Sequence, residues 1–409
     1  MKVLQINKYY YLKGGADAVL FNTIKLLEEH GHQVIPFCTI RNQNRYSPYS
    51  HYFVNAPEIR DIKGILGKIE SIPKFFWNKG AASKLESLII EEKPDIAHLH
   101  NIFNAHSLAI LPILKKYKIP VVITLHDARF LCPSSLFQLR GDLCKNCRSS
   151  LYLNCALHKC FQGNLLNSVM CSAEMIHKEF LMNYNRYINK YIFVSQRYLT
   201  LHSERHKYFA DKGTVLYNFF PDINKIEPNS KKGDYFLYYG RITKEKGIEP
   251  LLKAFERMPN LSLKIAGTGP LSNLFSDTSP NIEYLGFVSG ESLISLIKNA
   301  SFVIVPSEWE ENNPLTIIEA YACGKPVIGS RIGGIPEIIR ENNTGFIFEA
   351  GDFKDLISKI EISAKIIQDE YSEMSQFCRN FAERNFDSEV HYNRLMNIYK
   401  EAIESYENI

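Results

Sequence analysis

Two successive series of short β-rich runs, each alternating with helical stripes, constrain this chain more than any other feature. In the first series Val3–Asn7, Gln33–Cys38, Asp95–His100, Pro120–His126, Tyr191–Ser195 and Thr214–Tyr217 read as strands. Between the first two, Ala16–His30 has apolar residues at positions 16, 19, 20, 24, 26 and 27, the stripe of an amphipathic helix. The pattern restarts with Tyr235–Tyr239, Leu261–Ala266, Asn281–Phe287, Ser301–Pro306, Pro326–Ser330 and Gly345–Phe348. Asn218–Asp234, with Pro221, Pro228, Asn229, Ser230 and Gly233, separates the two series and has linker composition. Such βα alternation predicts parallel sheets covered on both faces. The expected fold is therefore α/β: two doubly wound, Rossmann-like domains facing each other across a cleft, at residues 1–218 and 225–385. The tail 386–409 contains an amphipathic helix over Ser388–Asn408, whose stripe of Val390, Leu395, Ile398, Tyr399 and Ala402 needs a surface to cover it. Either domain can supply one, and packing back on the N-terminal domain is one such arrangement.

Charge follows the same division. Residues 1–220 carry 28 Lys and Arg against 16 Asp and Glu, whereas residues 221–409 carry 20 against 28. The first half is basic and favours anionic surfaces; the second is acidic. With 409 residues of which 45% are hydrophobic, general disorder is excluded. Ile96–Leu114 lacks Asp, Glu, Lys and Arg, but His98, His100, Asn101, Asn104, His106 and Pro112 make it costly in hydrocarbon. The first residues show no apolar signal core. These features predict a cytoplasmic protein whose nine Cys are thiols or metal ligands rather than disulfides.

Several residue groups fall where open parallel sheets bind ligands, at the carboxyl ends of strands. Gly14-Gly15-Ala16-Asp17 opens the first helix, where backbone amides can approach a phosphate. It is not the GxGxxG fingerprint, which disfavours an NAD enzyme. Arg241 and Lys246, in Gly240-Arg241-x4-Lys246-Gly247, are placed to hold a diphosphate. Glu308, Glu310 and Glu311 precede a helix over Leu315–Cys323, with Asn313 suited to the N-cap and Pro314 to the first helical position. Glu319 lies inside that helix; a carboxylate there can hold ribose hydroxyls, and another can meet a sugar. His126 ends a strand and can donate to a substrate hydroxyl or move a proton. Each group also has a purely structural reading, as a loop, a cap or a solvated cation.

Cys132, Cys144, Cys147, Cys155, Cys160 and Cys171 fall within 40 residues, in an insertion over about 130–165. The CxxC of Cys144 and Cys147 has metal-ligand spacing. Buried thiols and a structural zinc both fit. Lys63, Lys68, Lys74 and Lys79 alternate with Ile65, Leu66, Ile69, Ile72, Phe75, Phe76 and Trp77. That pattern fits either a helix resting on an anionic membrane or one docked on the sheet.

Taken together, Gly14-Gly15-Ala16-Asp17, Gly240-Arg241-x4-Lys246-Gly247, IAGTGP at 265–270, Glu311-x7-Glu319 within ENNPLTIIEAYACGKPVIGS and Gly333-Gly334-Ile335-Pro336-Glu337 resemble glycosyltransferase family 4 over nearly the whole chain. The resemblance implies the GT-B fold and retaining sugar transfer from a UDP- or GDP-linked sugar with no catalytic metal. Carried over by position, it implies that Gly15 approaches the donor diphosphate and the acceptor, with Gly14 beside it among the donor-binding residues. Arg241 and Lys246 clamp that diphosphate, with amides near Asn313, Pro314 and Leu315. Glu311 meets the donor sugar, Glu319 the ribose, and His126 the transferred sugar. Gly267 lies in the IAGTGP motif, and Phe287 and Val288 flank the nucleobase. Asn312-Asn313-Pro314 replaces the family's frequent Gly-Phe-Gly, and Asp17 a frequent Glu. The cysteine insertion resembles transferases of bacterial surface-polysaccharide pathways, which implies a structural zinc on Cys132, Cys144, Cys147 and Cys160, with Cys155 an alternate ligand, and a lipid-linked glycan acceptor used at the cytoplasmic membrane. Nucleic acid is not an expected partner. A nucleotide-sugar epimerase and a non-enzymatic, zinc-stapled basic binding module are the competing readings.

Overall fold

The structure, a computed structural model, describes residues 1–56, 72–103, 105–139, 142–144, 146–147 and 151–407. It resolves into two compact units. One comprises Met1–Leu139, Cys144–Leu216 and Tyr392–Ile409; the other is built on Tyr217–His391.

The first unit holds six strands: β1 (Lys2–Ile6), β2 (Gln33–Phe37), β3 (Ile96–Leu99), β4 (Val121–Leu125), β5 (Lys190–Phe193) and β6 (Gly213–Val215). They form one parallel sheet in the order β2-β1-β3-β4-β5-β6. Successive side chains point to opposite faces, and both faces are covered. Leu4, Ile6, Ile35 and Phe37 pack on one side with Leu85 and Leu88 of the helix Lys79–Glu92. Val3, Val34, Ile96 and Val122 pack on the other with Leu20, Ile24 and Leu27 of the helix Gly15–Glu29. The same side receives Leu395, Ile398, Tyr399 and Ala402 of the helix Ser388–Glu407, so the apolar stripe of the tail is buried in this unit.

The second unit repeats the plan with β7 (Tyr235–Tyr239), β8 (Ser262–Ala266), β9 (Ile282–Gly286), β10 (Val303–Val305), β11 (Val327–Ser330) and β12 (Gly345–Phe348). The order is β9-β8-β7-β10-β11-β12, again parallel. In each sheet the strand order reverses at one place, between β1 and β3 in the first and between β7 and β10 in the second. Such reversals leave a crevice at the carboxyl ends of the strands. No helix among the described residues is long and apolar enough to cross a membrane. Of the basic amphipathic stretch, Lys63, Ile65, Leu66, Lys68 and Ile69 lie outside the described residues.

Candidate functional site

At the switch point of the first unit, Asn7 follows β1, His100 follows β3 and His126 follows β4. Asn7 is buried and its Nδ2 donates to Asp17 Oδ1 at 3.0 Å and to Tyr9 O at 2.8 Å. This fixes the turn in which Asp17 N and Ala18 N both donate to Gly14 O at 3.1 Å. Burial pushes the Asp17 carboxyl above its usual range, although Asn7 pulls the other way. Neither Gly14 nor Gly15 has a neighbour within 4 Å of where a Cβ would stand, and Gly14 has extended backbone at φ −169°. The fold itself does not demand glycine at either position; open space in front of the helix start is what the pair provides.

His126 belongs to a buried chain of hydrogen bonds that the sequence did not reveal. Gln5 Oε1 lies 2.9 Å from His100 Nε2, and His100 Nδ1 lies 2.8 Å from His126 Nε2. Gln5 Nε2 reaches His98 Nδ1 at 3.5 Å, which also meets Tyr399 Oη at 2.7 Å, while His98 Nε2 meets Thr124 Oγ1 at 2.7 Å. With the Gln5 amide oriented as it is, one set of protons satisfies every link. The Gln5 oxygen accepts from His100 Nε2–H, so His100 Nδ1 is a lone pair and must accept from His126 Nε2–H. Burial holds His126 down to about 4 and His100 well below its usual value, so both rings are neutral at pH 7. His126 therefore presents an unprotonated Nδ1. Of the two expected roles, donating to a substrate hydroxyl or moving a proton, an Nδ1 lone pair suits the second. The clue in the sequence was the His98-x-His100 alternation, which places both rings on one face of β3.

At the switch point of the second unit, the loops after β7 and β10 meet. Lys246 Nζ forms a very short ion pair with Glu311 Oε1, which also accepts from Ser307 Oγ at 2.7 Å. Burial pushes the Glu311 carboxyl up, but Lys246 foremost, with Trp309 and Ser307, outweighs it and holds the group below the usual carboxylate range. Glu308 N donates to Glu245 O at 3.0 Å, and Ser330 Oγ to Ser307 O at 2.7 Å, tying the loops to each other and to β11. Trp309, which sequence reasoning passed over although it interrupts an acidic run, lies beneath both cations. Its ring centroid is 5.3 Å from Lys246 Nζ and 5.9 Å from Arg241 Cζ. Arg241 itself is exposed.

Two glycines are required by close backbone approach. A Cβ on Gly267, at φ +143°, would stand 1.8 Å from Gly240 O, so the turns after β7 and β8 pack backbone to backbone. A Cβ on Gly333, at φ +59°, would stand 1.9 Å from Glu311 O, whose carbonyl accepts from Gly334 N at 2.7 Å. Gly333 and Gly334 thus form the seat of Glu311.

The helix after this loop starts one residue later than expected. Pro314 is its N-cap and Leu315 its first residue, and no side chain caps it. Asn313 is unavailable as a cap because Asn218 holds it: Asn218 N donates to Asn313 Oδ1, and Asn218 Nδ2 to Asn313 O, each at 2.8 Å. The first amides of the Leu315–Ala322 helix are left for another acceptor, and the helix dipole favours an anion there. Glu319, farther along the helix, lines a cavity of about 1130 Å³ with Phe220, Gly290, Leu293, Ile294 and Lys298. Burial raises its carboxyl to about 7 against a hydrogen bond from Tyr239. Phe287 and Val288 follow β9; Phe287 is exposed and Val288 is half-buried.

The cysteines expected to hold a structural zinc are near one another. Cys132, Cys144 and Cys160 lie within electrostatic reach of Cys147, whose thiol is pushed up to about 12 by burial first and by these neighbours second. Cys132 Sγ is 3.1 Å from Ser134 Oγ. Among the described residues, however, no group of three or more His, Cys, Asp or Glu is arranged to hold a metal ion.

Comparison with known proteins gives two family matches. The family described as glycosyl transferases group 1 matches residues 219–385, and glycosyltransferase family 4 matches residues 13–157. A protein of the cps region of Klebsiella pneumoniae is 23% identical, over 88% of this chain and 94% of its own. The capsular polysaccharide biosynthesis glycosyltransferase CapM of Staphylococcus aureus is 31% identical, over 46% of this chain and 53% of its own. Among solved structures, Anabaena HepE in complex with UDP superposes with a TM-score of 0.63 at 16% identity, covering 97% of this chain and 99% of that one. The double parallel sheet is thus the α/β two-domain architecture known as GT-B.

Proposed function

Because this chain belongs to glycosyltransferase family 4, we propose that it transfers a sugar from a nucleotide-sugar donor, UDP- or GDP-linked, to a glycan or lipid-linked acceptor in surface-polysaccharide assembly. The observation that carries the reading is the Lys246–Glu311 pair beside the uncapped start of the Leu315–Ala322 helix. An ammonium, a guanidinium and a set of unpaired amides gather where a leaving diphosphate gains charge. That is electrostatic stabilisation aimed at the transition state. The names of the Klebsiella and Staphylococcus relatives support the polysaccharide context, and the UDP bound by HepE supports the donor class.

In this reading Arg241 and Lys246 hold the diphosphate. Lys246 has three N–H bonds, so it can keep Glu311 and still donate to a phosphate oxygen. Glu311, held by Lys246, Ser307 and the Gly333-Gly334 seat, receives hydroxyls of the donor sugar. Glu319 takes the ribose hydroxyls, and Phe287 and Val288 flank the base. In the first unit Gly14 and Gly15 leave room for the substrate at the helix start, and His126 Nδ1 accepts from a hydroxyl of the transferred sugar. The sugar–phosphate bond breaks, the acceptor hydroxyl attacks on the same face, and its proton passes to the leaving oxygen. The configuration is retained and no metal takes part. Work on a lipid-linked acceptor places the protein at the inner face of the cytoplasmic membrane as a peripheral protein.

The test is a thermal-shift screen of sugar nucleotides, followed by product analysis with a lipid-linked acceptor with and without a chelator. A donor that stabilises the protein, and a product with the donor's anomeric configuration formed equally in chelator, are expected. Turnover of the sugar nucleotide with no acceptor present would instead point to an epimerase.

A further inference from the structure

Among the described residues 18 large apolar side chains are exposed, and nine of them fall between Leu136 and Leu181. The helix Leu165–Ile176 is inverted for a water-facing element. Asn167, Ser168, Ser172 and Glu174 are on its buried side, while Leu165, Leu166 and Val169 face water at 53%, 41% and 45% exposure. The buried polar groups are satisfied. Ser168 Oγ donates to Asn164 O at 2.8 Å and accepts from Phe161 N at 2.9 Å. Ser172 Oγ donates to Tyr152 O at 2.9 Å, and Glu174 pairs with Arg129. The interior is therefore settled, and the leucines outside are what remains to be explained. The short helix Leu153–Leu157 packs against this one and exposes Leu153 and Leu157. The wide turn His177–Leu181 continues it and exposes Phe180 and Leu181. Exposed apolar side chains gathered on adjoining elements in this way mark an interaction surface.

Charge selects the occupant. Residues 151–181 contain two acids, Glu174 and Glu179. Both are held in ion pairs, Glu174 buried against Arg129 and Glu179 half-buried against Arg205 and beside His206. Lys159 is exposed beside Leu157. Lys74 is exposed next to Phe75, which packs on Met170 of the inverted helix. A second copy meeting this face with its own would set like charges together with no carboxylate to answer them. An anionic lipid headgroup answers them.

We propose that this face is a membrane-docking surface, seating Leu153, Leu157, Leu165, Leu166, Val169 and Leu181 at the headgroup–acyl boundary of an anionic bilayer, with Lys74 and Lys159 on the headgroups. It deepens the reading above by giving the proposed membrane contact a place on the first unit.

The experiment is co-sedimentation of the full chain with vesicles of phosphatidylcholine alone or mixed with phosphatidylglycerol. UDP binding by thermal shift is measured on the same samples. The wild type sediments with the mixed vesicles and not with phosphatidylcholine alone. The variant Leu157→Ser/Leu165→Ser/Leu166→Ser/Leu181→Ser loses about tenfold of that binding with its UDP shift unchanged. The variant Lys74→Glu/Lys159→Glu loses it as well, and carries the test if the first does not fold. Wild type that stays in the supernatant, either folded variant binding like wild type, or a wild-type dimer that the leucine changes dissociate would each overturn the proposal. Absence of a UDP shift in wild type would exclude a UDP-linked donor and leave the vesicle result standing.

Discussion

His126 Nε2 lies 2.8 Å from His100 Nδ1, and the rings are stacked with centroids 5.1 Å apart. Because Gln5 holds the other nitrogen of His100, the protons of the whole chain are assigned from the core outward, and His126 is left with its Nδ1 lone pair free for a ligand. A partner that fixes a tautomer governs whether a histidine accepts or donates.

Replacing His100 by Leu removes that control. We expect the His126 ring to populate both tautomers and turnover to fall about tenfold, with donor affinity little changed. Imidazole ¹⁵N shifts read the tautomer directly, and a kcat against KM split reads the consequence. Unaltered ¹⁵N shifts in the variant would mean that His100 does not set the ring.

With its pKa near 4, His126 stays neutral from pH 6 to 8. Its folded value is depressed, so protonation costs the native arrangement only as pH falls from about 6.5 toward 4. Wild-type kcat/KM should therefore show no inflection between pH 6 and 8 that His126→Asn abolishes. Comparing the two pH profiles checks this, and such an inflection would place the ring in a wetter setting than its burial indicates.

The Lys246–Glu311 pair yields a prediction with two readouts. Glu311 is only 8% exposed, so Lys246→Ala leaves a buried carboxylate without its counter-ion. We expect a stability loss of about 2 kcal/mol, tempered because Lys246 reaches partly into solvent, and a fall in turnover of about 10²-fold. The double variant Lys246→Met/Glu311→Gln should recover the stability and none of the turnover. Denaturant unfolding and initial rates separate these effects. A double variant as unstable as Lys246→Ala would show that the pair is not what couples the two loops.

Much of this site could be read without coordinates, for a physical reason. Strands of a parallel sheet are buried on both faces, so Val121–Leu125 or Tyr235–Tyr239 stand out as uninterrupted apolar runs, and the residue that follows each run sits at a strand end. His126, Arg241 and Glu311 could be placed in this way. What escaped depends on strand order. Gln5, His98, His100 and Tyr399 become partners because β1, β3 and β4 are neighbours and the last helix closes over them, and the His98-x-His100 alternation is the one part of that which a spacing along the chain encodes. Asn313 was misplaced because its rank as an N-cap is a local preference, and Asn218, 95 residues away, outcompetes it with two hydrogen bonds.

Glu319 offers a stability test with a definite sign. Its carboxyl keeps its proton up to about 7 in the fold, against 4.5 ordinarily. The group thus favours folding fully below about 4.5 and loses that contribution as pH rises through about 7. Glu319→Gln is neutral throughout, so it should lose less stability than wild type between pH 5 and 8, by about 1 kcal/mol after allowing for the partial exposure of the side chain. Chemical denaturation at the two pH values measures the difference. Parallel losses would mean that the carboxyl ionises freely in its cavity.

The glycines divide the site into what the fold needs and what a ligand needs. Gly333→Ala forces a methyl to within 1.9 Å of Glu311 O from a left-handed backbone, so it should cost about 1–3 kcal/mol and unseat Glu311. Gly15→Ala meets open space at the first residue of a helix, where alanine is the better helix former, so stability should hold or rise by up to about 1 kcal/mol. If Gly15 is there to let substrate approach the helix start, that same methyl should still cut kcat/KM more than tenfold, an effect that no loss of folding could explain. Unfolding curves and donor-saturation kinetics on the two variants decide the matter. Full activity in a stable Gly15→Ala protein would remove the first helix start from the substrate's path.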